Sequence, residues 1–250
     1  MKLYFECANG ISGDMSVGAL LDLGASREKL DKALLSLNLD DEFSYVIKEV
    51  KINSIKATDF NVIYYEDKNH HHHQLEHNEH HTHRNLDDVI KIIDRADISD
   101  NARNLAKKIF NIVADAESKV HGLPIEQVHF HEVGAIDSIV DIISFAVLYD
   151  DLNPEKTYFK TLTEGIGTVY CAHGDMDVPV PAVVEIASKY SIPIKITDNQ
   201  GEMITPTGIA IVASIYSKEK LPDGIIIKRT GYGAGKRPYK NPILRVFEIE

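Results

Sequence analysis

LYFECANGISGDMSVGALLDLG, residues 3–24, reads as one strand–turn–helix unit. Leu3 to Cys7 is short, apolar and aromatic, as a strand is. Gly10 to Asp14 reads as a turn. From Met15 to Leu23 apolar residues recur at helical spacing, and Gly24 stands where a C-cap is expected. The same alternation continues outward. Ser26 is placed to cap a second helix running to about Leu37, with Glu28 in its first turn. Phe43 to Val50 and Ile55 to Tyr65 are rich in β-branched and aromatic residues and predict two strands joined around Asn53-Ser54. Helices are predicted over Leu86 to Arg95, Asp100 to about Val120, Ala135 to Leu148, 181–190 and 206–217. Strands are predicted at 157–162, 166–170, 192–197, 224–230 and 243–249. The pattern predicts an α/β (mixed α+β) fold, a mixed sheet with packed helices, in a single domain over residues 1–250.

The charge balance is acidic, with net charge −11, which argues against non-specific nucleic-acid binding. Two cysteines, Cys7 and Cys171, make neither a disulfide scaffold nor a thiolate zinc site. The N-terminus lacks the apolar run of a secretory signal, and no apolar stretch approaches ~20 residues, so no membrane span is expected. The default compartment is the cytoplasm.

Between the third strand and the third helix lies HHHHQLEHNEHHTH, residues 70–83. His70, His71, His72, His73, His77, His80, His81 and His83 are eight imidazoles in fourteen residues, with Leu75 the one apolar residue. Such a segment cannot bury a face. It reads as a solvated, disordered His-rich loop, inserted at about 67–84, that collects transition metal. An affinity tag and a merely solubilising loop are the plainer readings.

Further constellations carry candidate chemistry. In HFHEVGAIDSIVD, residues 129–141, His129 and His131 fall on one face of an extended segment and Glu132 adjoins them. Asp137 and Asp141, four apart, share a face of the following helix. That helix is otherwise apolar, so a cation would be a natural partner for its carboxylates. Two imidazoles and three carboxylates suit Zn, Ni, Mn or Fe. The bland alternative is a capped helix start with His129 in the core. Gly10, Ser12 and Gly13 form a turn whose backbone can approach a phosphate, with Asp14 available to a metal or a ribose hydroxyl. A plain turn fits equally. His173 sits beside a proline-stiffened loop and is either structural or a ligand. Thr205 and Thr207 offer hydroxyls to an anion, unless Thr205 merely caps a helix with Pro206 at its first position. Gly231, Gly233 and Gly235 beside Lys236 and Arg237 fit either a phosphate-bearing ligand or a glycine-rich hairpin turn.

Together these blocks resemble one family along almost the whole chain. YFECANGISGDM with GALLDLG, VHFHEVGAIDSIVDI, HGDMDVPVPA, ITPTG, and GYGAG with NPILR look like the nickel-insertion proteins of nickel-pincer cofactor synthesis, the LarC family. An internal His-rich loop is also a family habit. The resemblance implies insertion of Ni2+ into the pincer-precursor mononucleotide, pyridinium-3,5-bisthiocarboxylic acid mononucleotide. One carbon–nickel and two sulfur–nickel bonds form, with consumption of CTP and help from Mn2+ or Mg2+, and the product serves lactate racemase. On this resemblance His129, His131, Glu132, Asp137 and Asp141 are the expected interior metal site. Glu132 or His131 is the expected base, and Asp14 with the 10–13 and 231–237 turns is expected to hold the phosphorylated ligand. The family's smaller C-terminal domain, associated with CTP, has no counterpart after NPILR, so the chain reads as the N-terminal part, working with a separate C-terminal LarC part and lactate racemase pathway proteins. Homo-oligomerisation is left open. A nickel storage or delivery protein and a metal-dependent phosphoester hydrolase are the rival readings.

Overall fold

The computed structural model describes residues 1–65, 84–127, 136–171, 174–237 and 239–250. The chain runs β1 (Lys2–Glu6), α1 (Gly13–Leu23), α2 (Arg27–Leu35), β2 (Phe43–Ile52), β3 (Ile55–Tyr64), α3 (Leu86–Arg95), α4 (Asp100–His121) and α5 (Ile136–Leu152). It continues through β4 (Lys156–Phe159), β5 (Leu162–Ile166), β6 (Thr168–Cys171), β7 (Gly174–Asp177), α6 (Pro181–Tyr190), β8 (Ile194–Gln200), α7 (Pro206–Ile215), β9 (Ile227–Ala234) and β10 (Ile243–Ile249). Local chemistry sets many of these boundaries. The side chains of Ser26, Asn85, Ser99 and Thr205 each accept a first-turn backbone N–H, while Gly24 and Gly122 end α1 and α4 in the left-handed conformation.

Six strands form one mixed sheet in the order β2-β3-β9-β10-β1-β4. β1 lies parallel to β4 and antiparallel to β10. The joint between β3 and β9 is a single pair, Thr58 opposite Gly233. Asp22 of α1 reinforces it by accepting the Tyr232 N–H at 2.9 Å, with the Thr58 hydroxyl at 3.4 Å from its other oxygen. Helix α5 is buried on nearly all sides, as its all-round apolar sequence requires, and packs against both α1 and α4.

Three expectations are corrected. The strand read at 157–162 breaks after Phe159, because β4 pairs with β1 while β5 leaves the sheet to pair with β8. The strand read at 166–170 is β6, and it has an unforeseen antiparallel partner, β7, whose Gly-Asp-Met-Asp sequence carries little strand signal. The 231–235 glycines are not a turn, since Gly231 to Ala234 form the end of β9. Their purpose is close packing: a Cβ at Gly231 would lie 2.0 Å from the Ala19 carbonyl oxygen, and one at Gly233 1.8 Å from that of Met15. Helix α1 is thereby seated directly on the strand's backbone.

Candidate functional site

The N-terminus of α1 is the point on which the separate motifs converge. Glycines let backbone reach it from several sides. The Ile11 N–H donates to the Met203 carbonyl at 2.9 Å and the Thr205 N–H donates to the Ile11 carbonyl at 3.1 Å. The approach is possible because a Cβ at Gly10 would sit 2.0 Å from the Met203 oxygen, and one at Gly208 2.2 Å from the Ile11 oxygen. Gly10 also holds a left-handed φ of 80°. The 10–14 turn and the ITPTG segment are thus one clasp.

Beneath the clasp lies Glu164 of β5, fully buried. Its Oε1 accepts the N–H groups of Gly165, Met203 and Ile204 at 2.8, 2.7 and 3.2 Å, whereas Oε2 has no partner among the described residues. Burial raises its pKa, against the pull of those three bonds.

At the helix end three carboxylates gather. Asp14 lies in the first turn of α1, takes the Ser12 hydroxyl and the Met15 N–H (2.8 Å), and faces Lys236 Nζ at 3.5 Å. Asp141 enters from α5. A Cβ at Gly13 would lie 2.4 Å from its Oδ2, so only glycine admits it. The Asp14 backbone N–H donates to Asp141, which places a carboxylate on the positive end of α1. Its pKa is pushed well up by desolvation, then by the neighbouring charges of Asp14 and Asp137, against the pull of Lys236. Asp137, one turn earlier on α5, is reached by solvent, yet the protein around it desolvates the carboxyl enough to raise its pKa. Arg237, next to Lys236, pairs with the buried Glu202 at 2.7 Å.

The structure thus brings together Gly10, Ser12, Gly13, Asp14, Asp137, Asp141, Lys236 and Arg237, drawn from three separate blocks of sequence. Thr205 is a helix cap, its hydroxyl accepting the Gly208 N–H at 3.0 Å, and Thr207 is buried. Gly233 and Gly235 pack on Met15. His129, His131, Glu132 and His173, with His70, His71, His72, His73, His77, His80, His81 and His83, lie outside the described residues. Among the described residues no group of three or more His, Cys, Asp or Glu is disposed to hold a metal ion. No described helix is long and apolar enough to cross a membrane. Sequence reasoning missed Glu164, whose signal was a lone acid in an apolar, β-branched run. It also missed Tyr239, which donates to the Asn9 carbonyl at 2.8 Å beside this site.

Residues 3–249 match the family described as nickel insertion protein. The chain belongs to that family. A relative from Alkaliphilus metalliredigens, named pyridinium-3,5-bisthiocarboxylic acid mononucleotide nickel insertion protein, is 48% identical across 100% of this chain and 60% of its own length. One of the same name from Acetivibrio thermocellus is 48% identical across 94% of this chain and 56% of its own. A putative nickel insertion protein from Dictyoglomus thermophilum is 40% identical across 98% and 60%. The chain therefore spans 56–60% of the length of these relatives. No solved structure matches this nickel insertion family member.

Proposed function

We propose that this chain handles nickel for insertion into pyridinium-3,5-bisthiocarboxylic acid mononucleotide, where the N-termini of α1 and α5 meet. The observation that carries the reading is the gathering of Asp14, Asp137 and Asp141 beside Lys236, in a chain of the nickel insertion family. The acceptor is taken from the relatives' names. Nickel is a substrate here. The carboxylates supply oxygen donors, and the chain leading into α5 carries His129, His131 and Glu132, so imidazole nitrogens join them in a set that suits a borderline divalent ion. His173 is a further donor. Metallation of a ring carbon releases a proton and needs an acceptor, a role given to Glu132 or His131, with Asp14 adjoining. Gly10, Ser12 and Gly13, with Lys236 and Arg237, take the phosphate. As hard oxygen donors the same carboxylates would also suit the Mn2+ or Mg2+ that accompanies CTP. CTP use itself is placed with the part of the longer relatives that this chain does not span. That part and the lactate racemase proteins are the partners, and the setting is the cytoplasm.

Supplying nickel and precursor to the full chain and following nickel in the small-molecule fraction tests the reading. Asp141→Asn keeps an acceptor for the Asp14 N–H but removes a crowded negative charge. Insertion should fall at least about tenfold, while thermal stability holds or rises slightly. Retained insertion would remove Asp141 from the site. Nickel bound with no change in the precursor would instead favour storage or delivery.

Deleting residues 70–83 should lower nickel loading of the precursor several-fold when the metal is scarce and leave it unchanged at saturation, because the loop acts only on local concentration. Loading that is indifferent at both concentrations would dismiss the collecting role. Turnover of simple phosphoesters by the deleted chain would point to a hydrolase.

A further inference from the structure

Beside the acid cluster, on the other side of Tyr239, is a cleft of about 350 Å³ lined by Asn9, Asn53, Ile55, Asn199, Met203, Tyr239, Lys240 and Asn241. Its volume lies in the range of small-molecule pockets, about 300–1,000 Å³. It sits where the loop after β1, the β2–β3 turn, the end of β8 and the β9–β10 loop come together. None of the acid cluster lines it, and no sequence motif pointed to it.

Its chemistry is selective. Four asparagines and one lysine line it, with no Asp or Glu among the described residues of the lining. In a chain of net charge −11 an acid-free lining with a lysine favours an anion. The amides are oriented in advance. Asn53 donates to the Lys240 carbonyl at 2.7 Å, Asn199 to the Thr197 hydroxyl at 3.1 Å, and Asn9 to the Ile243 carbonyl at 3.4 Å. Asn53 also donates to the Asn241 Oδ1 at 3.4 Å, which leaves the carbonyl oxygens of Asn9, Asn53 and Asn199 and the Asn241 N–H groups for a ligand. Tyr239, Met203 and Ile55 add apolar surface suited to a flat ring. The Tyr239 hydroxyl, held by Asn9, is also 3.9 Å from the Met15 sulfur, one residue beyond Asp14. A ring in this cleft would therefore lie next to the carboxylates.

We infer that this cleft seats the pyridinium ring and its anionic substituents, presenting the ring edge to the Asp14–Asp141 cluster; the inference rests on the nickel-insertion reading for the identity of the ring. The probe is nicotinic acid mononucleotide, which has a ribosylated pyridinium and a ring carboxylate, compared with CMP, which has another base on the same sugar phosphate. Calorimetric titration of the full chain should show saturable binding of the probe, with CMP at least tenfold weaker. Asn199→Asp and Asn241→Asp place a charge in the lining with almost no change in shape. Each should weaken the probe at least tenfold with an unchanged melting temperature, while Asn111→Asp on the exposed face of α4 changes nothing. Absence of probe binding, equal binding of CMP, or indifference to both aspartates would overturn the inference. Nickel loading measured on the same samples separates the two ideas. Loading without probe binding would sink the cleft alone. Probe binding that follows the predicted pattern without any nickel handling would sink the insertion reading and leave the cleft as an anion site.

Discussion

Gly233→Ala is expected to destabilise the chain by ~3 kcal/mol or more, at or above the top of the usual range for overpacking. The new Cβ would lie 1.8 Å from the Met15 carbonyl oxygen and 2.7 Å from the Ala19 nitrogen, and both neighbours are backbone. No rotamer change relieves that clash, so α1 as a whole must lift from β9. Gly233 also makes the one pair that joins β3 to β9, which adds a second loss at the same point. At about 2–4 °C per kcal/mol for a chain of this size, the melting temperature should fall by roughly 6–12 °C. Function should fail further than stability, because Met15 follows Asp14 and a lifted α1 withdraws Asp14 from Lys236 and Gly13 from Asp141. Gly224→Ala is the control. Nothing lies within 4 Å of its Cβ, so it should be neutral or slightly stabilising. Equal melting temperatures for the two variants would refute the account of how α1 is seated.

Glu164 should separate charge from hydrogen bonding. Removing the carboxyl in Glu164→Ala leaves three buried N–H groups without their acceptor, and a loss of ~3 kcal/mol or more is expected. Glu164→Gln keeps Oε1 for those donors and removes only the ionisable group, so it should be far milder. The two variants also differ from the parent in pH dependence. The folded-state pKa of Glu164 is raised, so its contribution is fully present below the unfolded value, and it declines as pH rises through the folded value. The Gln variant lacks that decline. Its stability relative to the parent should therefore improve as pH rises, as urea titrations at several pH values would record. A difference independent of pH would mean that folding leaves the Glu164 pKa unshifted.

Much of the fold was legible because its signals are local. Periodicity placed Leu86–Arg95 and Pro181–Tyr190 at their observed bounds, and Ser26 and Thr205 cap the helices they were expected to open. β-Branched runs marked β2, β3 and β10. Where a pattern was misread, as at 231–235, the deciding neighbour lay on an element far away in sequence. A glycine run looks the same whether it turns or admits a helix, and only the carbonyls of Met15 and Ala19 tell the two apart.

The sequence by itself determined the element order apart from β5 and β7, the mixed α/β class, and through its motif blocks the nickel insertion family. It also named Asp14, Asp137, Asp141, Lys236 and Arg237 as bearers of chemistry. Tertiary structure alone decided which of these meet: Asp141 beneath Gly13, Lys236 opposite Asp14, and ITPTG clasped to the 10–14 turn. It alone gave Glu164 its three donors and gathered four asparagines into one cleft. Helix caps and apolar periodicity act over a few residues and are written into the local chain. Burial, like-charge crowding and close backbone approach depend on groups brought together by folding, and no local pattern carries that information.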